Sequence, residues 1–251
     1  MSVLWLGQGL VDSAEARIDP ADRGLLLGDG LFETMRMDGG TVQRLEAHLA
    51  RLRQGADIIG LPVPLTDDAL VDALGEVAKA NGLTDCALRL TLTAGTGPRG
   101  LLRAEPPRPT LMIAAAPLPP PPGPAVLAVA TCTRRNEHSP VSRIKSINYL
   151  DGIMARREAQ ALGADDAVLM NTAGRVAEAS AANIFLLLDC GWVTPRVEEG
   201  ALPGTMRAAM IGAWNAEERA VSVQDLRRAD AIVLTSALGV REVKGLLPAA
   251  D

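Results

Sequence analysis

The sequence predicts two mixed α/β domains joined by a proline-rich linker, and three observations carry that prediction. Apolar and polar residues alternate through Leu88-Arg-Leu-Thr-Leu-Thr93, the two-residue period of a half-buried strand. Between Asp67 and Ala80 the apolar residues recur instead at Leu70, Val71, Leu74, Val77 and Ala78, the spacing of an amphipathic helix. Pro117-Leu-Pro-Pro-Pro-Pro-Gly-Pro124 offers too few backbone donors for sheet or helix and forms a stiff, extended connection. The predicted domains are therefore residues 1–116 and 125–251, on either side of a linker at 117–124.

Each element has a local reason. Thr66 or Asp67 caps the first-domain helix, and Asn81-Gly82 ends it. Thr110-Leu-Met-Ile-Ala-Ala-Ala116 is a second strand of that domain. Beyond the linker, Val126-Leu-Ala-Val-Ala-Thr131 opens the second domain as a strand. Tyr149 to Leu162 has helical spacing at Leu150, Ile153, Met154 and Leu162 and closes at Gly163. Ala167-Val-Leu-Met170, the turn Asn171-Thr-Ala-Gly174 and the run from Val176 predict a hairpin. Asn183-Ile-Phe-Leu-Leu-Leu188 is a buried strand, and Pro203-Gly-Thr-Met206 introduces a helix that ends near Trp214. Ala231-Ile-Val-Leu-Thr235 is a late strand. No internal repeat is visible.

Composition narrows the class of function. With 48% hydrophobic and 22% charged residues, the chain has enough apolar material for substantial cores. A net charge of −5 without a basic block excludes a nucleic-acid surface, which needs clustered Lys and Arg. An aromatic content of 2% excludes base-stacking platforms as well. Cys86, Cys132 and Cys190 are odd in number and lack a Cys-x-x-Cys pair, so a reducing compartment with buried thiols is expected. His48 and His138 are the only histidines, too few for a His-rich metal site, and no metal is expected. The N-terminus has no basic region followed by an apolar core, and no apolar stretch is long enough to span a membrane. A cytoplasmic globular protein with no nucleic-acid or membrane partner is the expectation.

Lys145 is one of three lysines among 25 basic residues. Lys79 sits in an Ala-rich helical stretch, and Lys244 falls in a predicted tail loop. Surface charge is therefore carried by arginine, which does not usefully deprotonate. Lys145 lies in the mostly apolar run Arg143-Ile-Lys-Ser-Ile-Asn-Tyr-Leu150, which also holds the only tyrosine. An amine attacks a carbonyl only when neutral, and burial favours the neutral amine because the charged form loses its water. This setting suits a Schiff-base lysine.

Other motifs are weaker alone. Gly95-Thr-Gly-Pro-Arg-Gly100 fits the dinucleotide fingerprint, but Arg103-Ala-Glu-Pro-Pro-Arg-Pro109 follows and cannot form the long helix that fingerprint needs. A glycine loop beside a site fits better. Ser142-Arg-Ile-Lys145 fits the Ser-x-x-Lys pattern of penicillin-binding enzymes, yet the accompanying Ser-Asp-Asn and Lys-Thr-Gly are missing. Glu178 precedes an apolar strand, where an acid is commonly exposed but also suits a buried cationic ring nitrogen. Arg44, His48 and Arg51 share one helix face, ordinarily a solvated one, though a guanidinium fork there suits a phosphate.

Taken in order along the chain, several segments resemble the fold-type IV pyridoxal-phosphate enzymes, the class IV aminotransferase family. They are Arg23-Gly-Leu-Leu-Leu-Gly-Asp-Gly-Leu-Phe-Glu-Thr34, Glu46-Ala-His-Leu-Ala-Arg-Leu52, Lys145-Ser-Ile-Asn-Tyr-Leu150, Glu178 to Phe185, Leu202-Pro-Gly-Thr-Met-Arg207 and Thr235-Ser-Ala-Leu238. The resemblance implies pyridoxal 5'-phosphate as cofactor, bound covalently by Lys145. It implies that Arg51 binds the phosphate, joined by the backbone N–H groups of Thr205 and Met206 at a helix start and by the Ser236 hydroxyl. Glu178 would pair with the pyridine nitrogen and keep it protonated. Tyr149 is similar to the tyrosine that touches the ring hydroxyl, one residue closer to the lysine than in the branched-chain enzymes. A homodimer is implied too.

Within the family, Phe32-Glu33 stands where D-amino-acid transaminases tend to have Tyr-Glu. The loop Thr93-Ala-Gly-Thr-Gly-Pro-Arg-Gly100 is similar to one in aminodeoxychorismate lyases, and Ser236-Ala-Leu-Gly-Val-Arg-Glu-Val243 resembles their tail, with Ser for Asn and Glu for Pro. The expected reaction is thus conversion of 4-amino-4-deoxychorismate to 4-aminobenzoate and pyruvate, a step of folate biosynthesis. Lys145 would remove the C–H proton beside the substrate nitrogen, and Arg99 would bind a substrate carboxylate. The alternative is an aminotransferase acting on branched-chain or D-amino acids with a 2-oxo acid.

Overall fold

The alternation around Leu88–Thr93 belongs to a longer antiparallel sheet. In the computed structural model, which describes residues 2–248, this sheet lies in a first unit made of residues up to Pro119 together with Ile144–Ile147. Its elements are β1 (Val3–Leu6), β2 (Gly9–Asp12), α1 (Arg23–Leu27), β3 (Gly30–Asp38), β4 (Thr41–Val42), α2 (Leu45–Ile58), α3 (Asp67–Ala80), β5 (Cys86–Thr93) and β6 (Thr110–Pro117). The strand order is β2-β1-β6-β5-β3-β4. Leu88, Leu90 and Leu92 of β5 share a core with Leu31, Met35 and Met37 of β3, Leu49 and Leu52 of α2, and Leu70, Leu74 and Val77 of α3. Fully burying such a side chain contributes roughly 1.5–3 kcal/mol, so this layer is the unit's main source of stability. Helix α3 starts as its sequence predicts: the Thr66 hydroxyl accepts from the Ala69 N–H at 3.3 Å.

The second unit comprises Pro120–Arg143 and the chain from Asn148 onward. It contains β7 (Ala125–Val129), α4 (Leu150–Ala161), β8 (Asp166–Met170), β9 (Val176–Ala179), β10 (Asn183–Leu188), β11 (Gly191–Pro195), α5 (Thr205–Trp214), β12 (Glu217–Arg219), α6 (Val223–Arg228), β13 (Ala231–Ser236) and β14 (Gly239–Leu246). Eight strands form one mixed sheet in the order β12-β11-β10-β13-β14-β7-β8-β9. Leu127, Val168, Ile184, Leu186 and Leu234 are the centre of its core. Strands β8 and β9 form the predicted hairpin, antiparallel around the Asn171–Gly174 turn.

Several expectations are corrected. Lys145, placed by the sequence in the C-terminal domain, belongs to the first unit. β4 pairs only with Met37 and Asp38 at the far end of β3, leaving that edge open at Gly30–Phe32. The lysine segment fills it: Phe32 N–H donates to the Lys145 carbonyl at 2.9 Å, and Ile147 N–H donates to the Gly30 carbonyl at 3.1 Å. Helix α4 does not bury Leu150, Ile153, Met154 and Leu162, which are exposed; it packs through Ala155 and Ala159, whose small side chains let it lie close to its neighbours. Cys86 is buried, but Cys132 and Cys190 are exposed. Lys244 stands on β14 rather than in a loop. Among the described residues no helix is long and apolar enough to cross a membrane.

Candidate active site

In the first unit the Lys145 amine sits 4.2 Å from the centroid of the Phe32 ring. The Arg89 guanidinium lies over the same ring, 3.9 Å from its centroid. β5 register explains this: Arg89 is opposite Thr34 on the face of the sheet that Phe32 also uses, while Leu88 and Leu90 turn to the core. Thr91, directly opposite Phe32, has a buried hydroxyl without a hydrogen-bond partner. An amine, a guanidinium and a hydroxyl therefore gather around one aromatic ring. Arg89 has no role in the sequence reading, because an alternating strand gives no sign of which polar face is functional.

Glu33, the next residue of β3, points the other way, into the helical layer. Arg51 donates to it through Nε at 2.8 Å and Nη2 at 2.6 Å, and His48 Nδ1 lies 2.7 Å from Glu33 Oε2. His48 is fully buried and Arg51 nearly so, so this part of the α2 face is not solvated. Burial alone would raise the Glu33 carboxyl, but the bonds from Arg51 and His48 prevail and hold it below the ordinary carboxylate value. The ion cluster fixes the plane of the Arg51 guanidinium.

In the second unit, Glu178 on β9 is buried among donors. Arg135 Nε lies 3.1 Å from Oε1, and the Leu202 N–H donates to Oε2 at 2.9 Å. Asn183 Nδ2 is 3.4 Å from the same Oε2 and donates to the Leu202 carbonyl at 2.8 Å. Residues 202–204 lead straight into α5, whose N-cap is Gly204 and whose start carries no side-chain cap. Thr205, the first helical residue, is buried, and Met206 is half-buried. The structure thus brings Glu178, Thr205 and Met206 to one place through Leu202. Gly152 lets the first turn of α4 lie on the Ser180 carbonyl, two residues beyond Glu178: a Cβ there would come within 2.6 Å of that oxygen and 3.8 Å of the Tyr149 ring.

Ser236 ends β13, and its hydroxyl accepts from the Leu238 N–H at 3.3 Å. The neighbouring Thr235 hydroxyl is buried without a partner, directly across the sheet from Asn183 and hence on its face. Sequence reasoning named Ser236 and passed over Thr235.

Arg99 is exposed on the Gly95–Gly100 loop. That loop is braced by the buried Arg23, which donates to the carbonyls of Gly100, Leu101 and Leu102 at 3.0, 2.7 and 3.2 Å. Asp29 joins Arg23 to Arg103 at 2.9 and 2.5 Å. The Arg103 bond, opposed by burial and reinforced by Arg23, keeps the Asp29 carboxyl below its ordinary value. Gly95 has φ +66°, and a Cβ there would meet the Arg108 carbonyl at 1.8 Å, so only glycine serves.

The Amino-transferase class IV family model matches residues 30–246. The chain belongs to the class IV aminotransferases. A Methanocaldococcus jannaschii relative, provisionally named a branched-chain-amino-acid aminotransferase, is 32% identical over 239 residues, 92% of this chain and 83% of its own. The branched-chain aminotransferase of Thermoproteus uzoniensis, solved with norvaline, is 30% identical with a TM-score of 0.90, over 98% of this chain and 87% of that one. A Legionella pneumophila structure, provisionally named a 4-amino-4-deoxychorismate lyase, is 32% identical with a TM-score of 0.88, over 94% and 89% of the two chains.

As a class IV aminotransferase the chain is a pyridoxal-phosphate enzyme of fold type IV, and its residues fit that cofactor. The start of α5, where the N-cap is Gly204, carries the partial positive charge that suits a phosphate. The unpartnered Thr235 hydroxyl supplies a further donor on the Asn183 face. Glu178 is a buried acid whose side chain is fixed by a guanidinium and an N–H, and an acid at such a place suits a cationic ring nitrogen.

Proposed function

We propose that this class IV aminotransferase moves the amino group of a branched-chain or D-amino acid to a 2-oxo acid. The observation that carries the reading is the Phe32 ring with both Lys145 and Arg89 against it. An amino-acid substrate offers a C–H proton for the lysine amine and a carboxylate for the guanidinium fork. The two branched-chain relatives described above support the same substrate class.

When bound, pyridoxal phosphate supplies a carbonyl for the lysine and a ring that accepts electrons. Lys145 Nζ moves the proton at the substrate carbon next to nitrogen. Glu178 holds a proton at the ring nitrogen, and Tyr149 orients the ring hydroxyl. Arg51, Ser236 and the backbone N–H groups of Thr205 and Met206 hold the phosphate. Arg99, on its braced loop, takes a second carboxylate when the 2-oxo acid is a dicarboxylate. The protein works as a homodimer: Leu150, Ile153 and Met154 on α4, and Leu25, Leu26, Leu101 and Leu102 around the Arg23 brace, are large apolar side chains left exposed.

A second reading, the aminodeoxychorismate lyase of folate biosynthesis, is favoured by the Arg99-Gly100 loop and by the Legionella relative. Lys145 then takes the same proton, and enolpyruvate departs as the substrate ring aromatises to 4-aminobenzoate. One experiment separates them. The purified protein is incubated with leucine, valine or D-alanine plus 2-oxoglutarate, and separately with aminodeoxychorismate. Glutamate formation supports the aminotransferase, while 4-aminobenzoate with no glutamate makes the protein a lyase.

A further inference from the structure

Asn183 lies between two parts of the second unit that the cofactor reading treats separately, the Glu178 carboxylate and the start of α5. Its amide Nδ2 donates to the Leu202 carbonyl at 2.8 Å and lies 3.4 Å from Glu178 Oε2. Glu178 Oε2 in turn accepts the Leu202 N–H at 2.9 Å, so both polar groups of that peptide residue are held. The Leu202 carbonyl also accepts from the Gly204 N–H at 2.8 Å, which closes a tight turn just before the helix. The amide oxygen is in place for a further reason. A Cβ built on Gly204 would come within 2.0 Å of Asn183 Oδ1, and Gly204 has φ −69°, a backbone that any residue adopts. Glycine is needed there because Asn183 occupies the space.

We propose that Asn183 is a positioning residue, which locks the Leu202–Gly204 turn onto Glu178 and so sets where the α5 N-terminus stands relative to that carboxylate. The inference rests on the cofactor reading, in which Glu178 meets the ring nitrogen and α5 meets the phosphate. Those groups meet opposite parts of one small molecule, a flat ring and the phosphate on its short CH2–O arm, so an error in their separation weakens both contacts together. Glu178 gains a second task from this: its Oε2 also fixes the phosphate end of the site.

The test uses pyridoxamine 5'-phosphate, which binds without a bond to Lys145, so affinity is read apart from catalysis. In N183D the shape is kept, but an ionised carboxylate faces the Leu202 carbonyl with no proton to donate. The charged groups around the introduced carboxyl are Glu178 on β9, Arg135 bound to Glu178, and Arg207 on α5, whose guanidinium is taken by the Pro195 carbonyl and Glu218. The dissociation constant of N183D relative to wild type is expected to rise on the order of tenfold at about pH 8, where the carboxylate has no proton to donate to the Leu202 carbonyl. A ratio near one, with wild type binding normally, overturns the inference alone. Wild type that fails to bind overturns the cofactor reading and the inference with it.

A second set of variants does not depend on N183D folding. G204A and N183A should each weaken binding, whereas N183A/G204A should bind no worse than N183A, because removing the amide makes room for the new methyl. Losses that simply add would show that the two residues act independently and would overturn the lock.

Discussion

At the scale of single residues, the isolation of Lys145 in the sequence has a structural counterpart in its seat on Phe32. Borohydride reduction of the loaded protein, followed by peptide mapping, should place the pyridoxyl group on Lys145; label on Lys79 or Lys244 would refute the assignment. Glu178→Gln should keep the cofactor, because an amide oxygen still accepts the Leu202 N–H, yet turnover should fall on the order of a hundredfold or more. Unchanged turnover would mean that another group holds the ring proton. Lys145 stands out in the sequence because lysine is rare in this chain and sits there in an apolar run, whereas Glu178, one acid among many, is picked out only by the ordered resemblance. Arg89, Glu33 and Asn183 were not legible, since their partners lie on other strands and helices and local spacing does not reveal cross-strand neighbours. Asn183 and Glu33 did fall inside segments that resemble the family, and the resemblance flagged their neighbourhood without a role.

At the scale of elements, the β8–β9 hairpin shows how a buried acid outside the candidate site is used. Glu137 accepts from the Thr172 N–H at 3.0 Å and from its hydroxyl at 2.9 Å, pinning the hairpin turn. Burial pushes this carboxyl up, but its own N–H and both Thr172 donors outweigh that and lower it from 4.5 to about 2. A carboxyl lowered on folding stabilises the folded state above its unfolded value, and the contribution fades as pH falls through the folded value. Wild type should therefore lose stability between pH 4.5 and about 2, and Glu137→Gln should be less stable near neutrality with a flatter curve across that window. Urea midpoints at a series of pH values check this, and parallel curves for the two proteins would contradict it. Strands β5, β10 and β13 and helices α3 and α5 were readable from periodicity and caps. The short β1, β2, β4 and β12 were not, because two to four residues are too few to show a period. Helix α4 was found but its packing face was reversed: its large apolar residues advertise a face that the chain itself leaves uncovered, and two alanines do the internal packing.

At the scale of the whole molecule, that uncovered face belongs to the proposed dimer. Paired Ile153→Glu and Met154→Glu changes should leave the fold intact, since both side chains are exposed, but shift the mass measured by light scattering from dimer to monomer. A double variant that stays dimeric would place the interface elsewhere. The sequence made the two-part organisation visible through the proline run, whereas the excursion of Ile144–Ile147 into the first unit was hidden, because pairing to an open strand edge leaves no mark on composition.

That excursion has a consequence for how the protein is made. When a ribosome has delivered the chain as far as Pro119, the sheet of the first unit has all six strands, yet the opening residues of β3 still lack a partner on one edge. The Phe32 N–H and the Gly30 carbonyl must wait until residues 145–147 emerge. Synthesis that stops in the proline run therefore yields an incomplete first half without Lys145, the proposed Schiff-base lysine, and a second half expressed alone carries that lysine on a segment with no strand to pair with. The two halves should regain cofactor attachment only when supplied together.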